Sequence, residues 1–143
     1  MESTEKPLPQ EGFSPIIGAW EFLDFVSVRG ENEILTWLHS AQVTKGARAK
    51  INARIITLQG FPIFPEQYFS AYKGWDGIFE LRVTFGNVQY RPFGFYGPRR
   101  KQFCLLVGGI EKGKIPRSLL TVAETRKKIV VANPSQTCLH DFS

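Results

Sequence analysis

The side chains best suited to chemistry lie in the second half of the chain, where positive charge accumulates. Residues 81–128 contain eleven Lys and Arg side chains against two acidic ones, a net charge of +9. Residues 1–33 contain two basic side chains against seven acidic ones, a net charge of −5. Cations concentrated in one half of a chain are typical of a surface that meets a polyanion. The alternative is a basic surface that serves solubility and docks an acidic protein.

Four residues of this half have types that could act on an anion. Arg82 and Arg91 can each clamp a phosphate through paired N–H donors, but an arginine is a poor base. Lys112 can contact phosphate, or transfer a proton if neighbouring cations lower its pKa. Glu80 is a nearby carboxylate that could accept a proton.

From Trp75 onwards apolar and polar residues alternate with a period of two, which predicts that strands position these residues. The predicted strands are Ile78–Phe85, Val88–Tyr96 and Gln102–Ile110. Glu80 and Arg82 fall on the polar face of the first strand. Gly86-Asn87 predicts a tight turn after it, and Pro92 makes the second strand edge-like or bulged. The third strand is continuously apolar and therefore central or buried on both faces. Together they predict an antiparallel meander.

The first half of the chain predicts a strand followed by two helices. Ala19–Val28 is rich in aromatic and β-branched residues, as strands are. Glu31–Ser40 predicts a short helix, and apolar residues every three to four positions predict a second one between Thr44 and Gly60. Two adjacent amphipathic helices favour a helical hairpin on a sheet. Phe61–Tyr72 predicts a connector that its aromatic residues anchor to the core.

The end of the chain predicts one more helix. Thr121-x-x-Glu124 has capping-box spacing, and the helix should end near Asn133. Its few apolar residues predict weak docking. The segment beyond it is expected to fray. The predicted division is a disordered leader at 1–14, one domain at 15–133 and a flexible tail at 134–143.

Several classes of function are not expected from the sequence. Cys104 and Cys138 predict two unpaired thiols of a cytoplasmic protein. His39 and His140 do not have zinc-ligand spacing and receive no role, so we expect neither metal nor other cofactor. No apolar run is long enough to span a bilayer, so no membrane partner is expected.

Five segments carry a resemblance to a known group of proteins. They are FLDFVSVRGENEILTWL (Phe22–Leu38), FELRVTF (Phe79–Phe85), QYRPFGFYGP (Gln89–Pro98), LLVGGIEKGK (Leu105–Lys114) and PRSLLTVAETRKK (Pro116–Lys128). In order and spacing they resemble the RelE/ParE superfamily of toxins and, within it, the HigB-like, phage-derived branch. The resemblance covers most of Trp20–Ala132. It implies an α+β, RelE-like fold with an N-terminal strand, a two-helix hairpin, an antiparallel three-strand meander and a C-terminal helix.

The resemblance also implies a function. Members of this superfamily are typically toxins of type II toxin–antitoxin modules. The RelE and HigB branches cleave mRNA, usually on the ribosome, whereas the ParE branch inhibits DNA gyrase. The resemblance thus implies a metal-independent endoribonuclease that binds mRNA and ribosomal RNA. It also implies a cognate antitoxin that neutralises the enzyme and often carries a helix-turn-helix domain. The alternatives are a non-catalytic binding protein of the same fold, either a gyrase inhibitor or a phage-derived accessory protein, and an inactive relative that keeps only antitoxin binding.

By the same resemblance, three of the four residues acquire roles in RNA cleavage. Arg82 matches a position at which RNA-cleaving relatives place a basic residue and would bind phosphate. Arg91 matches the basic residue of a Tyr-Arg motif and would stabilise transition-state charge. Lys112 lies near the distal basic position. Apart from the resemblance, Glu80 and Glu111 are the carboxylates near this face, and either could be the base. The structural alternative for each arginine is an ion pair, of Arg82 with Glu80 or Glu111 and of Arg91 with Asp76 or Glu80.

A second set of residues is expected to bind RNA around this site. Tyr90 could stack on a base, and its alternative is a place in the core. The basic members of the set are Arg99, Arg100, Lys101, Lys114, Arg126 and Lys127. The first three form a turn cluster suited to RNA backbone. The last two lie on the predicted helix, where the alternatives are a solvated face or contact with an acidic antitoxin.

A polyanion partner predicts salt-dependent binding. Affinity for ribosomes should fall steeply as salt rises, because each phosphate contact releases condensed counterions. Sedimentation of the protein with ribosomes over a range of potassium chloride concentrations measures this. Binding that does not change with salt would instead indicate an apolar protein interface.

Overall fold

A computed structural model describes residues 20–111 and 114–143. These residues form a mixed α+β structure in which three helices pack on a seven-stranded sheet, which confirms the predicted class. The strands are β1 (Glu21–Phe25), β2 (Phe69–Ala71), β3 (Phe79–Leu81), β4 (Val83–Phe85), β5 (Val88–Tyr96), β6 (Gln102–Glu111) and β7 (Thr137–Leu139). The helices are α1 (Glu33–Leu38), α2 (Lys45–Gln59) and α3 (Arg117–Ala132).

The sheet is antiparallel except at one strand pair. Its order is β2-β3-β5-β6-β1-β7, with β4 also paired to β5. β5 and β6 form a long hairpin, and β3 and β4 pair with the outer side of β5, so the predicted meander is confirmed. β1 runs parallel to β6 and antiparallel to β7. A strand from the first half of the chain is therefore enclosed by two strands from the second half.

The sheet separates two cores. Along β6, Phe103 and Leu105 belong to the core under α1 and α2, whereas Cys104 and Leu106 belong to the core under α3. Successive side chains of a strand point to opposite faces, so this strand is buried on both sides, as its apolar sequence predicted. The helices contribute Ala47, Ile51, Ile55 and Leu58 to the first core and Leu120, Ala123 and Val130 to the second.

Helix α3 differs from its prediction in two respects. It begins at Arg117 behind Pro116, and the hydroxyl of Thr121 donates back to the Arg117 carbonyl (3.2 Å), so the predicted capping box is wrong. Its docking is also firmer than predicted, since Ala123 and Val130 are fully buried. A short apolar stripe suffices because the small side chain of Ala123 lets the helix approach the sheet closely.

The strand predicted over Ile78–Phe85 is interrupted at Arg82, with β3 before it and β4 after it. The backbone N–H of Arg82 donates to the Tyr68 carbonyl (2.8 Å), in line with the register that pairs β3 with β2. The predicted connector supplies β2, which pairs with β3. Its aromatic residues do anchor it, since Phe64 and Phe69 are buried in the first core.

The C-terminal segment, predicted to fray, is instead held in the fold. β7 pairs with β1, and His140 is only 6% exposed. Its Nδ1 lies 2.7 Å from the Asp24 carboxylate and its Nε2 lies 2.8 Å from the Asn52 amide oxygen. Asp24 also accepts from the Asn32 side chain (2.9 Å) and the Asp141 backbone N–H (3.1 Å). This buried polar network holds the C-terminal segment on the fold and gives His140 a structural role. Hydrophobic periodicity does not reveal such a network.

The two cysteines are free, as predicted, with Cys104 buried and Cys138 exposed. Burial raises the pKa of the Cys104 thiol far above its usual range, so it stays protonated and unreactive. Among the helices that the structure describes, none combines the length and the apolar character needed to cross a membrane.

Replacing His140 with alanine should lower the free energy of unfolding by about 3 kcal/mol, because the buried Asp24 carboxylate loses its imidazole partner. Urea unfolding followed by circular dichroism measures the change. Leu139→Ala, at a neighbouring side chain that is 62% exposed, is the matched control. It should change stability by less than about 0.5 kcal/mol. Equal midpoints for His140→Ala and the wild type would contradict the role of the network.

Candidate functional site

Three strands bring charged residues to one face of the sheet. Glu80 of β3 stands opposite Phe93, and Arg91 of β5 lies two positions before Phe93 on the same face. Phe93 belongs to the α3 core, so both charged side chains face that side of the sheet. Glu111 ends β6 opposite Gln89. The predicted residues Glu80, Arg82 and Arg91 are thus brought together, with Glu111 beside them.

Arg91 is the centre of this cluster. Its Nη1 donates to the Glu80 carboxylate (2.8 Å), its Nη2 donates to the side chain of Gln89 (2.6 Å), and the same Nη2 forms an ion pair with Glu111. Its buried Nε has no acceptor among the described residues. Arg82 Nη1 lies 3.6 Å from the other oxygen of Glu80. The ion pairs foreseen as the structural alternative for both arginines are therefore present.

The members of the cluster differ in their access to solvent. The Glu80 side chain is 8% exposed and that of Arg91 17%, whereas that of Arg82 is 30% exposed. The Arg82 guanidinium also donates hydrogen bonds to the hydroxyl of Ser70 and the carbonyl of Glu66. Arg82 is therefore the arginine of the cluster that is more open to solvent, and Arg91 is the one that lies closer to Glu80.

Arg82 also lines a cleft of about 220 Å³ between α2 and the sheet. Lys50 and Arg54 of α2 line it as well, and their side chains donate to the carbonyls of Thr84 and Arg82. The Arg54 guanidinium lies 3.8 Å from the ring centroid of Tyr68. These α2 cations were not predicted as site residues. The sequence feature that could have indicated them is their i, i+4 spacing away from the apolar stripe of α2, which places both residues on one helix face.

The predicted turn cluster lies elsewhere. Arg99, Arg100 and Lys101 are exposed in the turn between β5 and β6. Arg91 lies near the other end of β5, roughly 17 Å from that turn at about 3.3 Å per residue. The three basic residues line a separate cavity of about 430 Å³ that Trp20 and Phe142 also line. They cannot act on the same atoms as Glu80.

Two residues expected to bind RNA face the protein instead. Tyr90 is 3% exposed within the α1/α2 core, so its ring offers no face to a base, and its core alternative holds. Arg126 donates to the Leu106 carbonyl (2.8 Å), lies 3.7 Å from Glu33 and stacks on Phe25. Burial lowers the pKa of its guanidinium, and Glu33 raises it. Sequence patterns give side-chain type and helix face, but not which cation ties a helix to its sheet.

The remaining predicted residues lie around the α3 side. Lys127 is partly buried, with Nζ 3.5 Å from the Asp76 carbonyl, whereas Lys114 is exposed. Lys112 lies outside the described residues. Over 20–111 and 114–143, no three His, Cys, Asp or Glu side chains meet as a metal-binding group.

The site thus combines a nearly buried carboxylate, held between two arginines, with an adjacent cleft lined by cations. The chain belongs to the family described as phage derived protein Gp49-like (DUF891), whose model matches residues 37–128, more than half of the chain. This family belongs to the RelE/HigB-like toxin superfamily. No curated protein and no solved structure matches the chain. The matched segment contains Glu80, Arg82 and Arg91 but neither β1 nor β7.

Removing Arg91 should destabilise the fold more than removing Arg82. Arg91→Ala should cost about 3 kcal/mol, because it leaves the buried Glu80 carboxylate without its closest partner. Arg82→Ala should cost about 1 kcal/mol or less, since that side chain is partly solvated. Glu80→Met combined with Arg91→Met should recover part of the loss, because no buried charge is then left unpaired. Urea unfolding measures all three, and equal losses for the two alanine variants would show that Glu80 is hydrated.

Proposed function

We propose that this protein is the toxin of a type II toxin–antitoxin module and cleaves mRNA on the ribosome without a metal ion. The observation that carries the proposal is the Glu80 carboxylate held between Arg82 and Arg91, at the side of a cleft lined by further cations. Membership of a family within the RelE/HigB-like toxin superfamily supports it. The RelE-like arrangement of the fold and the HigB-like branch are part of the same proposal.

The proposed reaction is attack of an RNA 2′-hydroxyl on the neighbouring phosphate. The 2′-oxygen bonds to phosphorus, its proton passes to Glu80, and the bond to the 5′-oxygen breaks as that oxygen takes up a proton. Arg82 is the residue placed to bind the phosphate, because it is the more exposed arginine of the pair. Lys112 keeps the role expected from the sequence, either phosphate contact or proton donor to the leaving oxygen.

Arg91 acts in this proposal as a positioning residue. Its contact at 2.8 Å fixes one Glu80 oxygen, so the second oxygen faces Arg82 and the incoming ribose. Charge that develops on phosphate would be met by Arg82, whose guanidinium is already oriented by Ser70 and Glu66.

The cleft beside Arg82 would hold the RNA strand. Lys50 offers a cation to the backbone, and the Arg54–Tyr68 stack offers a flat surface next to which a base can lie. The exposed turn residues Arg99, Arg100 and Lys101 are then left for ribosomal RNA, at a distance from the reacting phosphate. Placement of mRNA by the ribosome would supply orientation that this small site lacks.

The proposed protein partner is a cognate antitoxin, with a helix-turn-helix domain as in related modules. A second candidate function is a non-catalytic binding protein of the same fold, either a gyrase inhibitor or a phage-derived accessory protein. The observation that favours it is that Glu80 and Arg91 already satisfy each other. An ion pair of this kind can serve the fold alone.

Inducible expression with mapping of mRNA 5′ ends tests the two candidates. Wild type should arrest growth and produce new ends, whereas Glu80→Gln and Arg82→Ala should reduce cleavage by about 100-fold or more, because each removes a group that acts on the reacting atoms. Arg29→Ala, which removes a cation from the exposed turn after β1, is the charge-matched control and should cleave as wild type does.

Thermal unfolding of each purified variant separates loss of activity from loss of fold. Growth arrest with intact mRNA and damaged DNA would refute the ribonuclease and favour the gyrase inhibitor. Normal growth with a stable wild-type protein would favour the accessory protein.

A further inference from the structure

The cavity of about 430 Å³ lies at the start of β1, where the end of α2, the turn between β5 and β6 and the C-terminal segment meet. Its volume is in the range of small-molecule sites. Arg91 lies roughly 17 Å from that turn at about 3.3 Å per residue. A molecule bound in the cavity is therefore too far from Glu80 to react there, so the cavity is a second site.

Part of the cavity wall is aromatic. Trp20 packs on Phe64 and Tyr96, with ring centroids 5.1 and 5.2 Å away, and its indole N–H donates to the Pro62 carbonyl (3.0 Å). These contacts fix the indole ring, so a ligand does not have to order it. Phe142, which is 42% exposed, contributes a second ring. Such a wall suits the face of a planar aromatic ligand.

The turn between β5 and β6 supplies three consecutive cations to the same cavity. Arg99, Arg100 and Lys101 all line it, and their side chains are exposed. The Arg99 backbone N–H donates to the Gln102 side chain (3.1 Å), which holds the turn. Lys101 Nζ lies 5.6 Å from the Trp20 ring centroid, so positive charge adjoins the aromatic wall. Three neighbouring cations favour a ligand with more than one negative charge, and guanidinium groups match phosphate oxygens in geometry.

One carboxylate also lines the cavity and restricts the choice of ligand. Glu21 follows Trp20 and accepts a hydrogen bond from the Gln102 side chain (2.8 Å). A carboxylate repels an anion beside it, but it has lone pairs for further hydrogen bonds from hydroxyl groups. The ligand must therefore present a hydroxyl near Glu21 and negative charge near the turn. The 2′-hydroxyl of a ribose is such a donor, and acidic side chains bind it in dinucleotide sites.

We propose that this cavity binds a ribonucleotide, with its base against Trp20, its ribose 2′-hydroxyl at Glu21 and its phosphate groups on the basic turn. The Gln59 amide, which also lines the cavity, can donate to and accept from a base edge. The nucleotide is either a free ribonucleoside phosphate or an unpaired nucleotide of an RNA strand, since both present the same three groups. The proposal does not depend on RNA cleavage, because the cavity is separate from the Glu80 site.

Calorimetric titration of the purified protein with the four ribonucleoside 5′-diphosphates tests the proposal. The one that binds best should bind about tenfold more tightly, or more, than its 2′-deoxy counterpart, its parent nucleoside and pyrophosphate, because each of these lacks a group that the cavity recognises. In proton–nitrogen correlation spectra, the Trp20 indole signal should shift with the diphosphate but not with pyrophosphate. The Trp20→Phe variant lacks that signal and so identifies it.

Variants at exposed positions locate the phosphate and the ribose. Arg100→Glu should weaken binding about tenfold or more, the loss expected for a hydrogen bond to a charged group. Lys128→Glu, at an exposed cation of α3 outside the cavity, is the charge-matched control and should bind as wild type does. Glu21→Ala should remove the preference for the ribonucleotide over its 2′-deoxy form, because the acceptor of the 2′-hydroxyl is lost. Thermal unfolding checks that each variant is folded.

A short single-stranded RNA distinguishes the two sources of the nucleotide. RNA that shifts the Trp20 indole signal and displaces any bound diphosphate would assign the site to a nucleotide of an RNA strand. A bound diphosphate that the RNA does not displace would assign the site to a free ribonucleotide.

Three results would overturn the proposal. They are no shift of the Trp20 indole signal with any of the diphosphates or with the RNA, equal binding of pyrophosphate or of the 2′-deoxy form, and equal affinities of Arg100→Glu and Lys128→Glu. The titrations contain no ribosome and do not require mRNA cleavage. A failure here and a failure of the ribonuclease proposal can therefore be told apart.

Discussion

Residues 103–106 of β6 are almost fully buried, and their side chains alternate between the two helical layers. The packing of α1 and α2 on one side and of α3 on the other thus depends on the same short stretch of backbone. Its hydrogen bonds go to β5 on one side and β1 on the other. β6 pairs with β5 in a register that brings Arg91 close to Glu111. β5 in turn pairs with β3, which brings Arg91 close to Glu80.

The charge cluster shows how a basic protein can keep a carboxylate nearly buried. Two arginines balance two glutamates, so the cluster as a whole adds little net charge to this face. Burial of Glu80 is tolerable because both of its oxygens have cationic partners. The excess positive charge resides elsewhere, on α2 and in the turn between β5 and β6.

Elements with a regular pattern could be predicted from the sequence. Alternation in Val88–Tyr96 and the apolar run of β6 predicted the hairpin, and spacing in α2 predicted its buried face. Contacts between distant polar residues could not be predicted. His140 and Asp24 are 116 positions apart, and no local pattern indicates that they meet. Without that contact, β7 is too short and polar to be predicted as a strand.

The candidate site could be predicted in part, because regular alternation along a strand also shows which polar residues share a face. Glu80 and Arg82 share a strand face, and Arg91 lies on the neighbouring strand, so alternation and order sufficed to group them. Arg126 and Tyr90 were misjudged because residue type does not show whether a cation or an aromatic ring faces inward. The α2 pair Lys50 and Arg54 needed the packing of α2 beside Arg82, which only the three-dimensional structure provides.

The position of β1 also constrains how the protein folds. Its contacts with β6 join residues 81 positions apart in sequence, and those with His140 are longer still. Closing such loops costs conformational entropy before any packing compensates, which slows folding. The β5–β6 hairpin has local contacts and can form early. β1 therefore joins as a late strand, and until then the edge of β6 is open along its whole length to any strand that reaches it first.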